Sequence, residues 1–187
     1  MFDPEAELAR LREQHLYRRR RVLDGPQGVR PVIDGRAMLA FCSNDYLGLA
    51  NHPDVVAALC EGARRDGAGR GAAHLVRGHG EPDRRLEEQL AAFTGRPRAL
   101  LFSTGYMANL GVISAVAGRG DHILAERLIP PSLTDGARLR GARLHRYAHG
   151  DVRRLESLAA ERGATLIVSD GVFSMDGDLA PLPALVC

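Results

Sequence analysis

The sequence predicts an α/β fold on a mostly parallel sheet with flanking helices, and three observations carry that expectation. Runs of strand length, Ala99–Phe102, His122–Ala125, Arg143–Tyr147 and Thr165–Ser169, recur along the second half of the chain. The stretches between them carry apolar residues at helical spacing and are long enough for crossover helices. Thr165-Leu-Ile-Val-Ser169 is a continuous apolar strand of the kind buried on both faces, as the strands of parallel sheets are. The 187 residues, 45% of them hydrophobic, suffice for a sizeable core.

Taken in order, residues 5–23 carry Leu8, Leu11, His15 and Leu16 at helical spacing, which predicts an amphipathic helix ending near Asp24-Gly25-Pro26. Residues 29–42 read as two short strands around Asp34-Gly35, a dipeptide that favours a tight hairpin turn. Residues 44–53 are expected as a loop. Pro53 then opens a helix at its preferred first-turn position, with Val56, Leu59, Cys60 and Ala63 expected to be buried. A glycine-rich stretch from Gly67 to Gly71 continues through Gly78 and Gly80, and a helix over about residues 83–94 places Leu86, Leu90 and Phe93 on one face.

Ala99–Phe102 fits a buried strand, Ser103-Thr104-Gly105 a turn, and Leu110, Ile113 and Val116 a helix. After the His122–Ala125 strand, Ser132 is the expected cap of a helix carrying Leu133, Ala137 and Leu139. Val152, Leu155, Leu158 and Ala159 mark the helix between the last two strands. Residues 182–187 read as the first turn of a helix too short to stand alone, so the fold is expected to be incomplete at the C-terminus. The expected organisation is an N-terminal helix and hairpin over residues 1–40, then the first part of a larger domain over residues 41–187.

Composition narrows the functional classes. A net charge of +2 gives no case for a nucleic-acid partner, and the run Arg18–Arg21 reads as a solvated helix face. Cys42, Cys60 and Cys187 are odd in number and lack metal-ligand spacing, which suggests a reduced, cytoplasmic chain. The acidic start and the lack of a long apolar run argue against a signal peptide or a membrane partner. All 25 basic residues counted as Lys+Arg are arginines. Without lysine, no side chain offers a primary amine for a Schiff base.

Among the motifs, Gly67-Ala-Gly-Arg-Gly71 has the wrong spacing for a dinucleotide fingerprint and follows a helix where a strand is required. His74, His79 and Asp83 sit in a glycine-rich loop, a poor frame for a metal, and no metal is expected. Ser132 with His145 or His149 makes no triad that spacing supports. The strand, turn and helix start around Gly105 is more informative. Free backbone N–H groups and the helix dipole there would suit a phosphate, the dipole alone contributing about 0.3–1 kcal/mol, while an ordinary turn stays the alternative.

Four runs occur in one order: Phe41-Cys-Ser-Asn-Asp-Tyr-Leu-Gly-Leu49, His74-Leu-Val-Arg-Gly78, Leu101-Phe-Ser-Thr-Gly-Tyr-Met-Ala-Asn109 and Ser169-Asp-Gly-Val-Phe-Ser-Met-Asp-Gly-Asp178. Together they resemble the α-oxoamine synthases, pyridoxal-phosphate enzymes of the aspartate-aminotransferase fold (fold type I), over the first half of a family member. Within the family the pattern is most similar to the biotin-pathway branch, although glycine C-acetyltransferase, 5-aminolevulinate synthase and serine palmitoyltransferase share much of it. The resemblance implies pyridoxal 5'-phosphate as cofactor, a homodimer, and a decarboxylative condensation. For this branch L-alanine would combine with a pimeloyl thioester of CoA or acyl carrier protein, giving 8-amino-7-oxononanoate.

By the same resemblance the backbone of Gly105 and Tyr106 holds the cofactor phosphate, and Ser174 contacts the cofactor. Asn44 lies near the substrate carboxylate, and Arg18 meets the acyl substrate. The chain also departs from the pattern. Pro130 stands where the family has a ring-stacking histidine, and proline offers neither an aromatic face nor a proton. Asp83 replaces a usual histidine, and Ala73 a usual serine. The aspartate that holds the pyridine nitrogen and the Schiff-base lysine would lie beyond Cys187. The resemblance therefore implies no catalytic residue on this chain, and the chain alone is expected to be inactive, as a truncated or interrupted copy. A non-catalytic partner of a complete homologue, or a remnant, are the alternatives.

Overall fold

Two units, Met1–Pro82 and Asp83–Cys187, make up the computed structural model, which describes residues 3–186. In the first, helix α1 (Pro4–Glu13) is capped by Asp3, whose carboxylate accepts from the N–H groups of Glu5 and Ala6 at 3.0 and 3.3 Å. The helix stops well short of residue 23. His15 adopts a left-handed φ of 56°, and the N–H groups of Leu16 and Tyr17 both turn back to the Leu11 carbonyl, which closes the helix end. Arg18–Arg21 is consequently exposed but not helical.

Strands β1 (Leu23–Asp24), β2 (Val32–Ile33) and β3 (Arg36–Ala37) form a small antiparallel sheet in that order. The pairing of Ile33 with Arg36 leaves Asp34-Gly35 as a two-residue loop, with φ of 50° and 75°. Positive φ at both positions is the hairpin turn that the dipeptide predicts. β1 begins at the last residue of the helix expected from periodicity. Its register is set by reciprocal bonds between Val22 and Asp34, the Val22 N–H donating to Asp34 Oδ1 at 3.1 Å and the Asp34 N–H to the Val22 carbonyl at 2.9 Å.

Helix α2 (Pro53–Asp66) starts at Pro53 as expected, with His52 Nδ1 accepting from the Asp54 N–H at 3.3 Å. Its apolar stripe is not buried, contrary to the expectation. Val56, Cys60 and Ala63 are exposed and Leu59 is 72% exposed, because among the described residues of this unit only the three short strands pack closely on one another. A single wide turn, His74–Gly78, follows. Gly78 is required there because a Cβ would collide with the Ala72 carbonyl.

Helix α3 (Glu81–Thr94) leads into the second unit, where Leu86 and Leu90 are exposed and Phe93 is 87% exposed. Ala99–Phe102 does not form the expected strand. No described strand lies beside it, and the Leu101 N–H donates to Glu87 Oε1 at 3.2 Å in place of a ladder bond. From there the alternation is regular: α4 (Gly105–Val116), β4 (His122–Glu126), α5 (Pro131–Arg140), β5 (Arg143–Tyr147), α6 (Val152–Arg162) and β6 (Leu166–Val168). A four-residue helix, α7 (Leu182–Leu185), ends the described chain. Cys187, the last residue of the predicted final turn, lies outside the described residues.

The parallel sheet has the order β5-β4-β6. Its core divides by the alternation of β4. Ile123 and Ala125 point to one side, in a cluster with Ile113 of α4, Ala137 of α5 and Val168 of β6, whereas Leu124 points to the other, among Tyr147, Leu155 and Leu158. β6 is an edge strand with Ile167 37% exposed, so its continuous apolar run does not mean burial on both faces. Ser132 does not cap α5. Pro131 starts the helix two residues earlier than a Ser132 cap would, with Pro130 at the cap position, and Ser132 lies buried in the first turn. α5 closes at Gly141, whose left-handed φ of 69° suits glycine.

Candidate functional site

The first turn of α4 is built as the turn chemistry predicts. Thr104 is extended, with φ −145° and ψ 153°, and its Oγ1 accepts from the Met107 N–H at 3.1 Å. The N–H groups of Gly105 and Tyr106 occupy the opening positions of the helix, where its geometry provides no intrahelical acceptor. A Cβ on Gly105 would meet nothing within 4 Å, so the space before this turn is open. Tyr106 donates its hydroxyl to Asp135 Oδ2 at 2.8 Å, and this bond, with burial and the carboxylate's charge, raises the phenol above its ordinary range. Asn109 Nδ2 donates to Ser132 Oγ at 2.9 Å. Both bonds run from α4 to the first half of α5, tying the turn to the carboxyl side of β4.

Replacing the cap tests this arrangement. Thr104→Ala removes one of the few acceptors for the opening N–H groups and is expected to cost about 1 kcal/mol. Circular dichroism melts should show a drop of a few degrees, and an unchanged melting temperature would mean that the cap bond contributes nothing.

A second set of polar groups gathers where β4 and β5 end. Glu126, the last residue of β4, is 2% exposed; its Oε2 accepts from the Leu128 N–H and its Oε1 lies 3.0 Å from His149 Nδ1. The other ring nitrogen of His149 lies 2.8 Å from Asp178 Oδ2. Phe173 meets the imidazole edge-on, with centroids 4.4 Å apart and planes at 86°. The bond to Asp178 is the main cause that raises the His149 pKa, the bond to Glu126 and both carboxylate charges add to it, and burial opposes it. Burial, reinforced by the charge of Glu126, also pushes the Asp170 carboxyl and the Tyr147 phenol up. A small cavity opens among Glu126, Tyr147, Gly150, Ser169 and Phe173.

The residues expected to bind ligand are distributed over both units. Gly105 and Tyr106 share the α4 turn, and Pro130 occupies the α5 cap position. Ser174 is exposed at the start of a tight turn in the loop after β6, closed by bonds from the Phe173 N–H to the Asp178 carbonyl (2.9 Å) and from the Gly177 N–H to the Phe173 carbonyl (2.7 Å). Among the described residues it makes no hydrogen bond to the α4 turn. In the first unit, Asn44 is exposed in a loop pinned by Asp45, whose Oδ1 accepts from the Leu49 and Ala50 N–H groups at 2.8 and 3.2 Å. Arg18 is exposed just before a concavity lined by Arg19, Arg21, Arg36 and Asp34.

Glu126, Asp170 and Asp178 do not stand out in the sequence as site candidates, and His149 stands out only as a poor triad member. The available signal is modest: a carboxylate closing a buried strand, and a histidine two residues past the end of the next one.

Residues 36–186 match the family model described as aminotransferase class I and II. The chain belongs to this family, and its fold is that of the aspartate-aminotransferase-like enzymes. It is 60% identical over 186 residues to an 8-amino-7-oxononanoate synthase from Methylococcus capsulatus, a match covering 98% of this chain and 48% of the relative. A Pseudomonas putida (strain KT2440) protein of the same name is also 60% identical, with 98% and 47% covered. Among solved structures, serine palmitoyltransferase from S. paucimobilis with a bound PLP-myriocin aldimine superposes with a TM-score of 0.87 at 30% identity, covering 97% of this chain and 47% of that one. The 8-amino-7-oxononanoate synthase of Francisella tularensis gives 0.67 at 32%, covering 78% and 41%. The chain thus spans about half the length of the curated relatives it matches. No helix among the described residues is long and apolar enough to cross a membrane.

Proposed function

We propose that this chain is the cofactor-phosphate-holding half of a pyridoxal-phosphate-dependent C-acyltransferase that condenses L-alanine with a pimeloyl thioester to 8-amino-7-oxononanoate, a step of biotin synthesis. The observation that carries this reading is 60% identity across nearly the whole chain to proteins of that name. Serine palmitoyltransferase has the higher TM-score, which favours a long-chain acyl substrate as the second reading, but at only 30% identity.

The α4 turn fits the phosphate end of the cofactor: its opening N–H groups face unfilled space, and Gly105 lets a ligand approach the backbone. When bound, pyridoxal phosphate supplies an electron sink that makes the amino-acid Cα acidic enough to attack the thioester. The N–H groups of Gly105 and Tyr106 would hold the phosphate, and the Ser174 hydroxyl would contact the cofactor. Asn44 would orient the substrate carboxylate and Arg18 the acyl substrate. Pro130 provides no aromatic face for ring stacking. With no lysine in the sequence, no side chain of this chain can attach the cofactor covalently. Turnover therefore requires an amine from outside it, which a lysine-bearing partner chain would supply, since a second copy of this sequence has none either.

Two measurements test this. Borohydride reduction after incubation with pyridoxal phosphate should leave no pyridoxyl group on any side chain by mass spectrometry. Equilibrium dialysis should show that pyridoxal phosphate binds at least about tenfold tighter than pyridoxal, and that Gly105→Glu abolishes the difference. Equal affinity for the two compounds would overturn the assignment of the phosphate to the α4 turn.

A further inference from the structure

We propose that His149 is a positioning residue: as an imidazolium it donates to Glu126 and Asp178 at once and latches the 170–180 loop, Ser174 included, to the carboxyl end of β4. The importance of Ser174 rests on the cofactor reading above, but the latch itself does not.

The argument is one of donors and acceptors. Both ring nitrogens face carboxylate oxygens, at 3.0 Å on Glu126 and 2.8 Å on Asp178. An ionised carboxylate can only accept, and a neutral imidazole carries one N–H, so the neutral ring would set a lone pair against one of the two oxygens. Only the doubly protonated ring satisfies both. The two anchors differ in kind. Glu126 is buried at the end of the central strand and already accepts from the Leu128 N–H. Asp178 belongs to the loop, and its Oδ1 is buried with no partner among the described residues, so His149 supplies the compensation that this carboxylate receives. Phe173, from the same loop, packs its ring against the imidazole and adds an apolar contact to the ionic one.

The surroundings favour the charged ring from each neighbouring element. Glu126 faces it from β4 and Asp178 from the loop, while Tyr147 of β5 and Asp170 after β6 lie near Glu126, and none of these four is cationic. The direction of pH dependence follows. A histidine whose folded pKa lies above its unfolded value contributes its full stabilisation below the ordinary histidine range and loses it as pH rises through the raised value. The latch therefore opens on the alkaline side, the reverse of a histidine cluster driven apart by acid. The loop carrying Ser174 should be held near neutrality and released as the ring deprotonates.

Hydrogen exchange of the 187-residue chain tests this, comparing peptides over residues 170–180 with those over β4 and β5. Between about pH 6 and pH 9, bracketing the histidine titration, the intrinsic-rate-corrected protection of the loop should fall about tenfold, the scale of one charge-assisted hydrogen bond, while the strands stay protected. His149→Gln, which cannot donate to both carboxylates, should show the lower protection at both pH values. Asp178→Asn, altering a half-exposed side chain, reads the same bridge should the first variant fold poorly. Its His149 ring should titrate below the wild-type value by NMR. Loop protection that is independent of pH in the wild type, or wild-type protection in either folded variant, would overturn the latch. Pyridoxal phosphate affinity measured on the same proteins separates the two readings: a pH-dependent loop whose opening leaves that affinity unchanged supports the latch and removes Ser174 from the cofactor site.

Discussion

Leu124→Ala is expected to destabilise the Asp83–Cys187 unit by about 2–5 kcal/mol, the cost of emptying a fully buried site in the core. Leu124 is 0% exposed and packs among Tyr147, Leu155 and Leu158. Its backbone cannot move in to fill the cavity, because β4 is bonded on one side to β5 and on the other to β6. The upper half of the range is therefore expected. For a unit of this size each kcal/mol lowers the melting temperature by about 4–8 °C, so the transition should fall by well over 10 °C or be lost. Leu139→Ala, at an exposed site on α5, is the control and should stay within about 0.5 kcal/mol. A loss below about 1 kcal/mol for Leu124→Ala would show that the cluster collapses around the missing atoms.

Gly136→Val is expected to cost about 1–3 kcal/mol through overpacking between α4 and α5. A Cβ at position 136 would lie 3.0 Å from Ile113 Cβ and 3.2 and 3.3 Å from its two γ-carbons, and Ile113 is itself fully buried. Glycine within a helix is otherwise unfavourable by about 0.8–1 kcal/mol relative to alanine, so the close approach of the helices outweighs a propensity gain. The double variant Gly136→Val/Ile113→Ala provides the signature. Each change alone destabilises, but together they should cost less than their sum, since the added methyls occupy the space vacated by the isoleucine. Strict additivity in thermal melts would show that the two residues do not share that space.

What the sequence made legible was local. β5 and α6 match their predicted positions because their patterns are satisfied by neighbours within the same unit. The hairpin at Asp34-Gly35 was legible because two residues suffice to specify that turn. Failures arose where a pattern needed something beyond itself. Ala99–Phe102 has strand composition but no described strand to pair with, and the stripe on α2 has helical spacing but, among the described residues of its unit, no element packed closely on it. Residues 14–23 have helical periodicity, yet His15 turns left-handed and ends the helix.

The candidate site divides in the same way. The Gly105–Tyr106 turn reads from the Ser103-Thr104-Gly105 turn chemistry and the helical spacing after it, although the strand expected before it does not form. The His149 bridge does not, because Glu126 lies 23 positions before the histidine and Asp178 lies 29 after it. No short window contains the three residues, and only the fold brings them together.

The strand order also has a consequence in time. β4 is the earliest of the three parallel strands in the chain and ends in the middle of the sheet, its Ile123 pairing with Leu144 and with Leu166. A chain emerging from the ribosome presents its N-terminal segments first. Each later strand therefore meets a partner that has already been made, first β5 on one side and then β6 on the other. Sheet growth outward from an existing centre lets β5 close the shorter loop first, while the other edge of β4 stays unpaired until β6 has been made.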